Sequence, residues 1–321
     1  MTFIELVRAE FPAARIIYTH ETGDPLAAAA ADLYSTDVAQ SVDEIVAFAI
    51  ANQVDVMVPA RNIALAAAAA PRLADHGVVV AIPTTDMTFL DTMRNKGRTY
   101  AICNEYQLAS TPRWRLAVGA DELVEATREW TANGERCCIK PTVGEGASGF
   151  RVIDPKWDPA RALYNWPSVT ISPADLERIV GGPAKNLPPM LVSDYLPGDE
   201  TSIDVASNDG DVVSFVVRRK QSAALQTIER QSETEAAVHA LSKHWSLHGC
   251  WNAQFKLDND GTARLLEVNA RPAAGSLHSA TLGLNFPALS IQLACGLHYR
   301  CAKPPESGQI HRRRTANIVR L

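Results

Sequence analysis

Two short turns divide the C-terminal part of the chain into pairs of antiparallel strands. The first, Asn208-Asp209-Gly210, joins TSIDVAS to DVVSFVVRRK, and the second, within residues 258–261, again contains an Asp-Gly pair. Asp-Gly turns favour the positive φ angles that connect neighbouring antiparallel strands. The flanking segments are rich in β-branched and aromatic residues, which favour strands. The two turns therefore predict an antiparallel sheet in this part of the chain.

The second hairpin, AQFKLDNDGTARLLEVNAR, carries polar side chains at a period of two. Glu267, Asn269 and Arg271 share one face of their strand, and the leading strand can bring Gln254 alongside. Carboxylate and amide oxygens suit Mg²⁺, and an arginine can hold a phosphoryl oxygen. The alternative is a half-buried strand whose polar face meets solvent. The strict alternation favours the metal site.

A glycine-rich turn follows a predicted strand in IKPTVGEGASGF. The strand delivers Lys140, and the turn contains Gly144, Gly146, Ser148 and Gly149. Glycines allow backbone N–H groups to approach an anion, and the lysine adds a positive charge. Because the lysine precedes the glycines, this is not a Walker A loop. The alternative is a flexible hairpin turn with a surface lysine.

The stretch LVSDYLPGDETSID runs from an apolar strand through a Pro-Gly bend to two acids, Glu200 and Asp204. The exposed backbone of such a strand can meet an adenine edge, and a carboxylate a few residues later can hold ribose hydroxyls. The alternative is that two strands joined by a bend carry acidic residues at the surface and bind no nucleotide.

The first ninety residues alternate strands and helices, which is typical of a parallel, doubly wound sheet. Ser41 and Glu44 form a capping-box pattern at the start of one helix. These ninety residues contain no GxGxxG motif, which is the fingerprint of dinucleotide-binding domains. The predicted strands span residues 15–20, 54–60 and 78–83, and the predicted helices span residues 2–11 and 63–75, with a third opening at Ser41. Later helices are predicted at residues 121–132, 173–180, 232–248 and 285–296.

Composition limits the classes of protein to which the chain can belong. Its 321 residues suggest about two domains, and its 46% hydrophobic content is too high for a disordered chain. The net charge of −5 argues against binding nucleic acid by bulk charge. The longest apolar runs are too short to span a membrane, and the N-terminus lacks a basic signal-peptide region, so a cytoplasmic location is expected. The six cysteines form no CxxC, which predicts reduced thiols.

Taken in order and spacing, these stretches resemble the ATP-grasp superfamily, in the branch that includes the carbamoyl-phosphate synthetase large chain and biotin carboxylase. The resemblance implies an α/β ATP-grasp fold with an N-terminal Rossmann-like domain (residues 1–93, its first strand trimmed), an opening helix and lid (94–189) and a nucleotide- and metal-binding domain (190–321). Gln254, where other branches hold an acid, points to this branch.

The resemblance also implies the roles of individual residues. The nucleotide-binding residues would be Lys96, Lys140, the lid turn Gly144, Gly146, Ser148 and Gly149, the adenine hinge Asp194, Tyr195 and Leu196, and the ribose carboxylate Glu200. The magnesium ligands would be Gln254, Glu267 and Asn269, and Arg271 would steady the transferred phosphoryl group. Arg218 is a candidate second clamp on that group, or else a surface charge at the end of a strand.

The chemistry implied by the resemblance is carboxylate–amine ligation. ATP, with two Mg²⁺ ions (or Mn²⁺), would phosphorylate a small-molecule carboxylate, and an amine would displace phosphate from the acyl phosphate. Pro272-Ala273-Ala274 replaces the His-Glu-type pair of biotin carboxylases, so biotin carboxylation is not favoured. Relatives commonly form dimers, which makes a homodimer the first assembly to test. The acceptor would lie near Arg61, Asn62 and residues 273–279, where Ser276 and His278 are candidate contacts or packing residues.

Two other functions are compatible with the motifs. The chain could be a nucleotide-binding regulatory or partner protein without turnover, although its intact metal ligands argue against this. It could also be a kinase-like enzyme that stops at a phosphorylated product. Neither nucleic acid nor a membrane is expected as a partner.

Overall fold

The computed structural model describes residues 2–22, 25–144, 146–163, 168–182, 186–222, 225–300 and 306–311. The chain forms two compact units. Unit 1 comprises Met1–Asp91, Asp199–Gln254 and Val268–Leu321, and unit 2 comprises Thr92–Gly198 and Phe255–Glu267. The three-part division expected from the resemblance stays a prediction.

The N-terminal part of unit 1 alternates short strands with helices, as predicted. Its strands form two separate parallel pairs, β1 with β2 and β3 with β4, rather than one longer sheet. Pro59 and Pro83 lie within the predicted second and third strands and lack the N–H that a ladder needs, which is consistent with strands of only two residues. The elements are α1 (Phe3–Glu10), β1 (Ile17–Thr19), α2 (Pro25–Ala30), β2 (Leu33–Ser35), α3 (Val42–Ala51), β3 (Val56–Met57), α4 (Ile63–Ala74), β4 (Val79–Val80) and α5 (Met87–Arg94), whose last three residues belong to unit 2.

The capping box at α3 is half confirmed. The Ser41 hydroxyl accepts a hydrogen bond from the Glu44 N–H at 3.2 Å. The Glu44 carboxylate, however, accepts from the N–H of Gln40 at 2.7 Å, one residue before the predicted donor. Both interactions still satisfy N–H groups at the helix start. α3 and α4 bury a common apolar cluster that includes Val46 and Leu73.

Unit 2 is built on a five-stranded sheet in the order β5-β9-β6-β7-β8, antiparallel except for the pair β7–β8. Helices α7 and α8 cover it with a buried cluster that includes Leu123, Leu176 and Ile139. The elements are α6 (Lys96–Tyr106), β5 (Trp114–Ala117), α7 (Ala120–Thr131), β6 (Cys137–Pro141), β7 (Arg151–Ile153), β8 (Thr170–Ile171), α8 (Pro173–Val180) and β9 (Met190–Asp194). The predicted helices at 121–132 and 173–180 are thus confirmed.

The C-terminal sheet has six strands in the order β14-β13-β10-β11-β12-β15. Both predicted hairpins are present, and β12 and β15 were not predicted. The chain passes from unit 1 to unit 2 within β13 and returns within β14. The elements are β10 (Glu200–Asn208), β11 (Asp211–Lys220), β12 (Leu225–Ile228), α9 (Ser232–His244), β13 (Gly249–Leu257), β14 (Ala263–Asn269), α10 (Ser276–Ser279), α11 (Phe286–Ala294) and β15 (Gly308–His311).

The first hairpin turn has the predicted backbone. Asn208 pairs with Asp211, and Asp209 and Gly210 both have positive φ, at 49° and 90°. α9 ends before the predicted residue 248, because Ser246 adopts a left-handed φ of 46° and closes the helix.

Five of the six cysteines and the lengths of the helices can be described directly. Of the six cysteines, the five that lie in described positions are free thiols, and four of these are buried; Cys301 lies outside the described residues. No described helix combines the length and the apolar character that crossing a bilayer requires.

Gly198, which follows the hinge, has no room for a side chain. A Cβ there would lie 2.6 Å from the Leu257 Cβ and 2.9 Å from the Leu257 carbonyl oxygen. We expect Gly198→Ala to lower the free energy of unfolding by about 1–3 kcal/mol, measured by urea denaturation. The control is Gly308→Ala, whose Cβ would meet Ile228 at an ordinary 3.7 Å. Equal losses in the two variants would contradict this prediction.

Candidate functional site

Lys96 is the first residue of α6, and its position is fixed from both directions. The Asn95 side chain caps the helix, and the Lys96 N–H donates to the Thr142 carbonyl at 2.9 Å. The buried Lys96 Nζ donates to the Gly144 carbonyl at 2.9 Å and lies 3.4 Å from the Glu267 carboxylate. The lysine therefore joins the helix start, the glycine-rich turn and a candidate metal ligand within unit 2.

Lys140 approaches the same carboxylate from β6. Its Nζ donates to the Tyr100 hydroxyl at 3.0 Å, and that hydroxyl donates to the Leu266 carbonyl at 2.9 Å. Burial, together with repulsion from Lys96, lowers the pKa of Lys140 from 10.5 to about 8, although Glu267 acts in the opposite direction. Burial also raises the pKa of Tyr100, so this hydroxyl stays protonated as a donor.

Lys96, Lys140 and Glu267 form a partly buried group of side chains with two positive charges and one negative charge. The Nζ of Lys140 donates hydrogen bonds to uncharged oxygens, those of the Tyr100 hydroxyl and the Leu266 carbonyl. Glu267 is the carboxylate that interacts electrostatically with both lysines. Two ammonium groups that repel each other and share one carboxylate favour binding of an anion with several charges.

The glycine-rich turn needs its glycines. Gly146 and Gly149 have φ of 62° and 73°, and a Cβ on Gly149 would lie 2.8 Å from the Pro141 ring. Ser148 lies exposed in the same turn, and Glu145 lies outside the described residues. The turn thus folds back over the end of β6, and its Gly144 carbonyl contacts Lys96.

The predicted hinge residues use their side chains within unit 2. The Asp194 carboxylate accepts from Arg113, at its backbone N–H and its Nε, and from Trp130 Nε1, each at 3.0 Å. The Arg136 guanidinium lies 4.0 Å from the centre of the Tyr195 ring, and Leu196 is buried. These side-chain contacts hold the hinge residues in place within unit 2. Binding of adenine by the hinge backbone stays a prediction.

In unit 1, the predicted ribose carboxylate Glu200 faces Lys220 across the β10–β11 pair and accepts a hydrogen bond from its Nζ. The other acid considered for ribose, Asp204, is fully buried. The prediction that Asp204 binds ribose is therefore wrong, and Glu200 stays the candidate ribose-binding carboxylate.

Arg218 is also fully buried, so the surface-charge interpretation of this residue is wrong. Its Nε and Nη2 donate to the Asp204 carboxylate at 3.0 and 2.7 Å. Its Nη1 donates to Gln226 at 3.0 Å and its Nη2 to Ser202 at 3.2 Å. A Cβ on Gly275 would lie 2.4 Å from Nη1, so the backbone there packs directly on the guanidinium.

The predicted metal ligands lie on β13 and β14. Glu267 and Asn269 are two residues apart on β14, as expected, but Glu267 belongs to unit 2 and Asn269 to unit 1. Gln254 lies on β13 in unit 1, and its Nε2 donates to the Asn252 Oδ1 at 3.4 Å. Among the described residues no three His, Cys, Asp or Glu side chains cluster as a metal site. The predicted ligand set has one acid and two amides.

The segment after β14 contains three predicted site residues, Arg271, Ser276 and His278. Arg271 Nη1 donates to the carbonyl of the next residue, Pro272, at 3.2 Å. Ser276 is fully buried, and its hydroxyl finds no hydrogen-bond partner among the described residues. Its predicted role as an acceptor contact stays a prediction, as does that of the half-buried His278.

Two functional candidates were missed from the sequence. Tyr100 lies on α6 one turn after Lys96, and its spacing of four residues from that lysine is the only signal that could have found it. Asn252 shares a strand face with Gln254, two residues away, and this period of two could have indicated it.

Comparisons with known proteins agree with the fold. Residues 186–316 match the family model described as "ATP-grasp in the biosynthetic pathway with Ter operon". No curated protein matches the chain in sequence. The biotin carboxylase domain of Hydrogenobacter thermophilus 2-oxoglutarate carboxylase, solved with MgADP, ADP and bicarbonate, is 14% identical with a TM-score of 0.67, and the match covers 94% of this chain and 69% of that one.

Two further solved structures are similar. N5-carboxyaminoimidazole ribonucleotide synthetase from Thermotoga maritima is 13% identical with a TM-score of 0.65, covering 94% of this chain and 75% of that one. L-amino acid ligase from Bacillus licheniformis is 19% identical with a TM-score of 0.58, covering 91% and 70%. The expected resemblance is confirmed at the level of the fold: the chain has the ATP-grasp fold, and residues 186–316 match an ATP-grasp family model.

Proposed function

We propose that the protein is an ATP-dependent carboxylate–amine ligase, which forms an acyl phosphate from ATP and a carboxylate and then joins the acyl group to an amine, releasing ADP and phosphate. The observation that carries this proposal is the pair Lys96 and Lys140 beside Glu267. Two lysines that repel each other favour a polyphosphate, and an adjacent carboxylate favours the metal that accompanies it.

The candidate ligands fit magnesium by their chemistry. Glu267 supplies a carboxylate, and Gln254 and Asn269 supply amide oxygens, which are the hard donors that Mg²⁺ prefers. Because the Gln254 Nε2 is directed to Asn252, its oxygen is left for another partner. When bound, the metal would neutralise charge on the β- and γ-phosphates.

The remaining residues have roles that follow from charge and position. Lys96 and Lys140 would hold phosphate oxygens, and Arg271 would steady the transferred group. The Gly144–Gly149 turn would cover the phosphates and exclude water, which matters because acyl phosphates hydrolyse readily. The hinge backbone would meet adenine, and Glu200 would hold the ribose.

The substrate classes are a small carboxylate and a small amine. One similar structure is an L-amino acid ligase, so amino acids are the first compounds to test in both roles. A homodimer is the assembly to test first, by light scattering. The absence of the His-Glu-type pair after Arg271 still argues against biotin as the acceptor.

Hydroxylamine trapping tests the acyl phosphate. With ATP, Mg²⁺ and pooled carboxylates, hydroxylamine replaces the amine, and we expect a hydroxamate to accumulate together with ADP. A kinase-like enzyme that phosphorylates a hydroxyl group would instead give a phosphate ester, which hydroxylamine leaves intact. ADP binding without hydroxamate or ADP formation from any carboxylate pool would contradict the proposal.

The pH dependence of ADP binding tests Lys140. Because the pKa of Lys140 is about 8, its ammonium loses its proton as the pH rises through that value. We expect ADP affinity to fall by up to about tenfold per pH unit above this point, since the bound phosphate favours the charged form. Calorimetric titration measures the affinity. Lys140→Met has no ammonium, so its binding is weaker at neutral pH and nearly flat above it; parallel profiles for both proteins would contradict the assignment.

A further inference from the structure

A buried polar network in unit 1 ends at the candidate metal ligand Gln254. Its centre is the ion pair between Asp204 and Arg218, both fully inaccessible to solvent. The Asp204 Oδ2 accepts from the Arg218 Nε and Nη2 and from the Ser279 hydroxyl, at 3.0, 2.7 and 3.3 Å. Its Oδ1 accepts from the Asn252 Nδ2 at 3.1 Å. The carboxylate is therefore held on both oxygens.

The amide of Asn252 has only one acceptable orientation in this network. Its Nδ2 faces three acceptors, the Asp204 Oδ1, the Ile203 carbonyl and the Ser202 hydroxyl, at 3.1, 2.8 and 3.0 Å. Turning the amide over would direct its oxygen at a carboxylate and a carbonyl, which can only accept hydrogen bonds. The Oδ1 of Asn252 must therefore point away from Asp204.

This orientation determines the orientation of Gln254. The two residues are two apart on β13 and share a face, and the Asn252 Oδ1 lies 3.4 Å from the Gln254 Nε2. An acceptor on Asn252 requires the NH₂ of Gln254 to face it. The Gln254 oxygen then lies on the opposite side of its amide, where a cation can use it.

We propose that Asn252 is a positioning residue, locked by the Asp204–Arg218 pair, that keeps the amide oxygen of Gln254 directed toward the metal. The proposal rests on the metal site of the proposed function. It also gives Arg218 a role that fits its burial: the arginine acts through Asp204 and Asn252 on a metal ligand rather than on the phosphoryl group.

Mn²⁺ binding tests the positioning role of Asn252 without requiring a substrate. Free Mn²⁺ is measured by electron paramagnetic resonance on the full chain with saturating ADP, and ADP binding is measured separately without metal. We expect Asn252→Ala to weaken Mn²⁺ binding by about tenfold or more, as for residues that orient a metal ligand. Asp204→Asn is expected to weaken it as well, because its new NH₂ cannot accept from Asn252. ADP binding without metal should stay within about twofold of wild type.

Ser207→Ala is the matched control. Ser207 is fully buried on β10 and accepts hydrogen bonds from Ser242 at 2.7 Å and Trp251 at 2.9 Å, so the variant loses buried hydrogen bonds that do not involve Gln254. A second control places Asn252→Ala in a Gln254→Ala background, where we expect less than about twofold further loss of Mn²⁺ affinity.

The outcomes are distinct. Equal Mn²⁺ affinity in Asn252→Ala and Ser207→Ala, or a full further loss in the Gln254→Ala background, would overturn the positioning role. If Asn252→Ala does not fold, Asn252→Ser, which keeps a polar side chain in the buried network and leaves the Asp204–Arg218 pair intact, decides on the same criteria. If the wild-type chain binds ADP but no Mn²⁺, both the metal site of the proposed function and the positioning role of Asn252 are contradicted.

Discussion

Glu267→Gln is expected to lower ATP-dependent product formation by about 10²–10³-fold, the size of effect seen when one stabilising contact to developing charge is removed. The change keeps the size of the side chain but removes the charge that a metal needs and that lies 3.4 Å from Lys96. The measurement is initial-rate ADP release together with hydroxamate formation. Mn²⁺ affinity in the presence of ADP is expected to fall in parallel.

The control for Glu267→Gln is Asp260→Asn, an equivalent change at an exposed acid in the turn of the same hairpin. We expect it to leave the rate unchanged. The same pair separates an enzyme from a nucleotide-binding regulatory protein. If Glu267→Gln retained the biological function of the protein in cells while abolishing turnover, catalysis would not be its role.

Arg218→Met is expected to destabilise the protein by about 3–5 kcal/mol, because it leaves the Asp204 carboxylate buried without its partner. The free energy of unfolding is measured by urea denaturation. The double variant Arg218→Met/Asp204→Leu removes both charges, and it is expected to recover much of this loss because an apolar pair needs no compensation.

An additive loss in the Arg218→Met/Asp204→Leu variant would contradict this account of the pair. A single-variant loss below about 1 kcal/mol would do so too, since that is the size of an exposed ion pair. Asp204→Leu alone completes the cycle and gives the coupling energy directly.

Local signals predicted those parts of the fold that depend on neighbouring residues. The turn at Asp209-Gly210 requires positive φ at consecutive positions, and the helix Pro173–Val180 begins at a Ser172 cap. Such features are encoded within a few residues, so the sequence alone predicts them. The lengths of β3 and β4 and the added strands β12 and β15 depend on pairing between distant segments, which no local pattern reports.

The Arg218–Asp204 pair shows why part of the site could not be predicted. Continuing the register of the turn, in which Asn208 pairs with Asp211, would place Arg218 opposite Thr201. A register shift between Ala206 and Ser207 places it opposite Ser202 instead. Because a shift of one residue exchanges the two faces of a strand, it decides which side chains meet. The sequence gives no sign of this bulge, so Arg218 was expected to act at the phosphoryl group or to lie at the surface.

The most direct test of the central claim is ADP release from ATP and Mg²⁺ with paired pools of carboxylates and amines, followed by mass spectrometry of the products. Each pool is also tested alone. The ligase proposal predicts rapid ADP and phosphate release only when a carboxylate and an amine are both present, with one amide formed per ADP. Binding of ADP with no stimulated release from any combination of pools would contradict it.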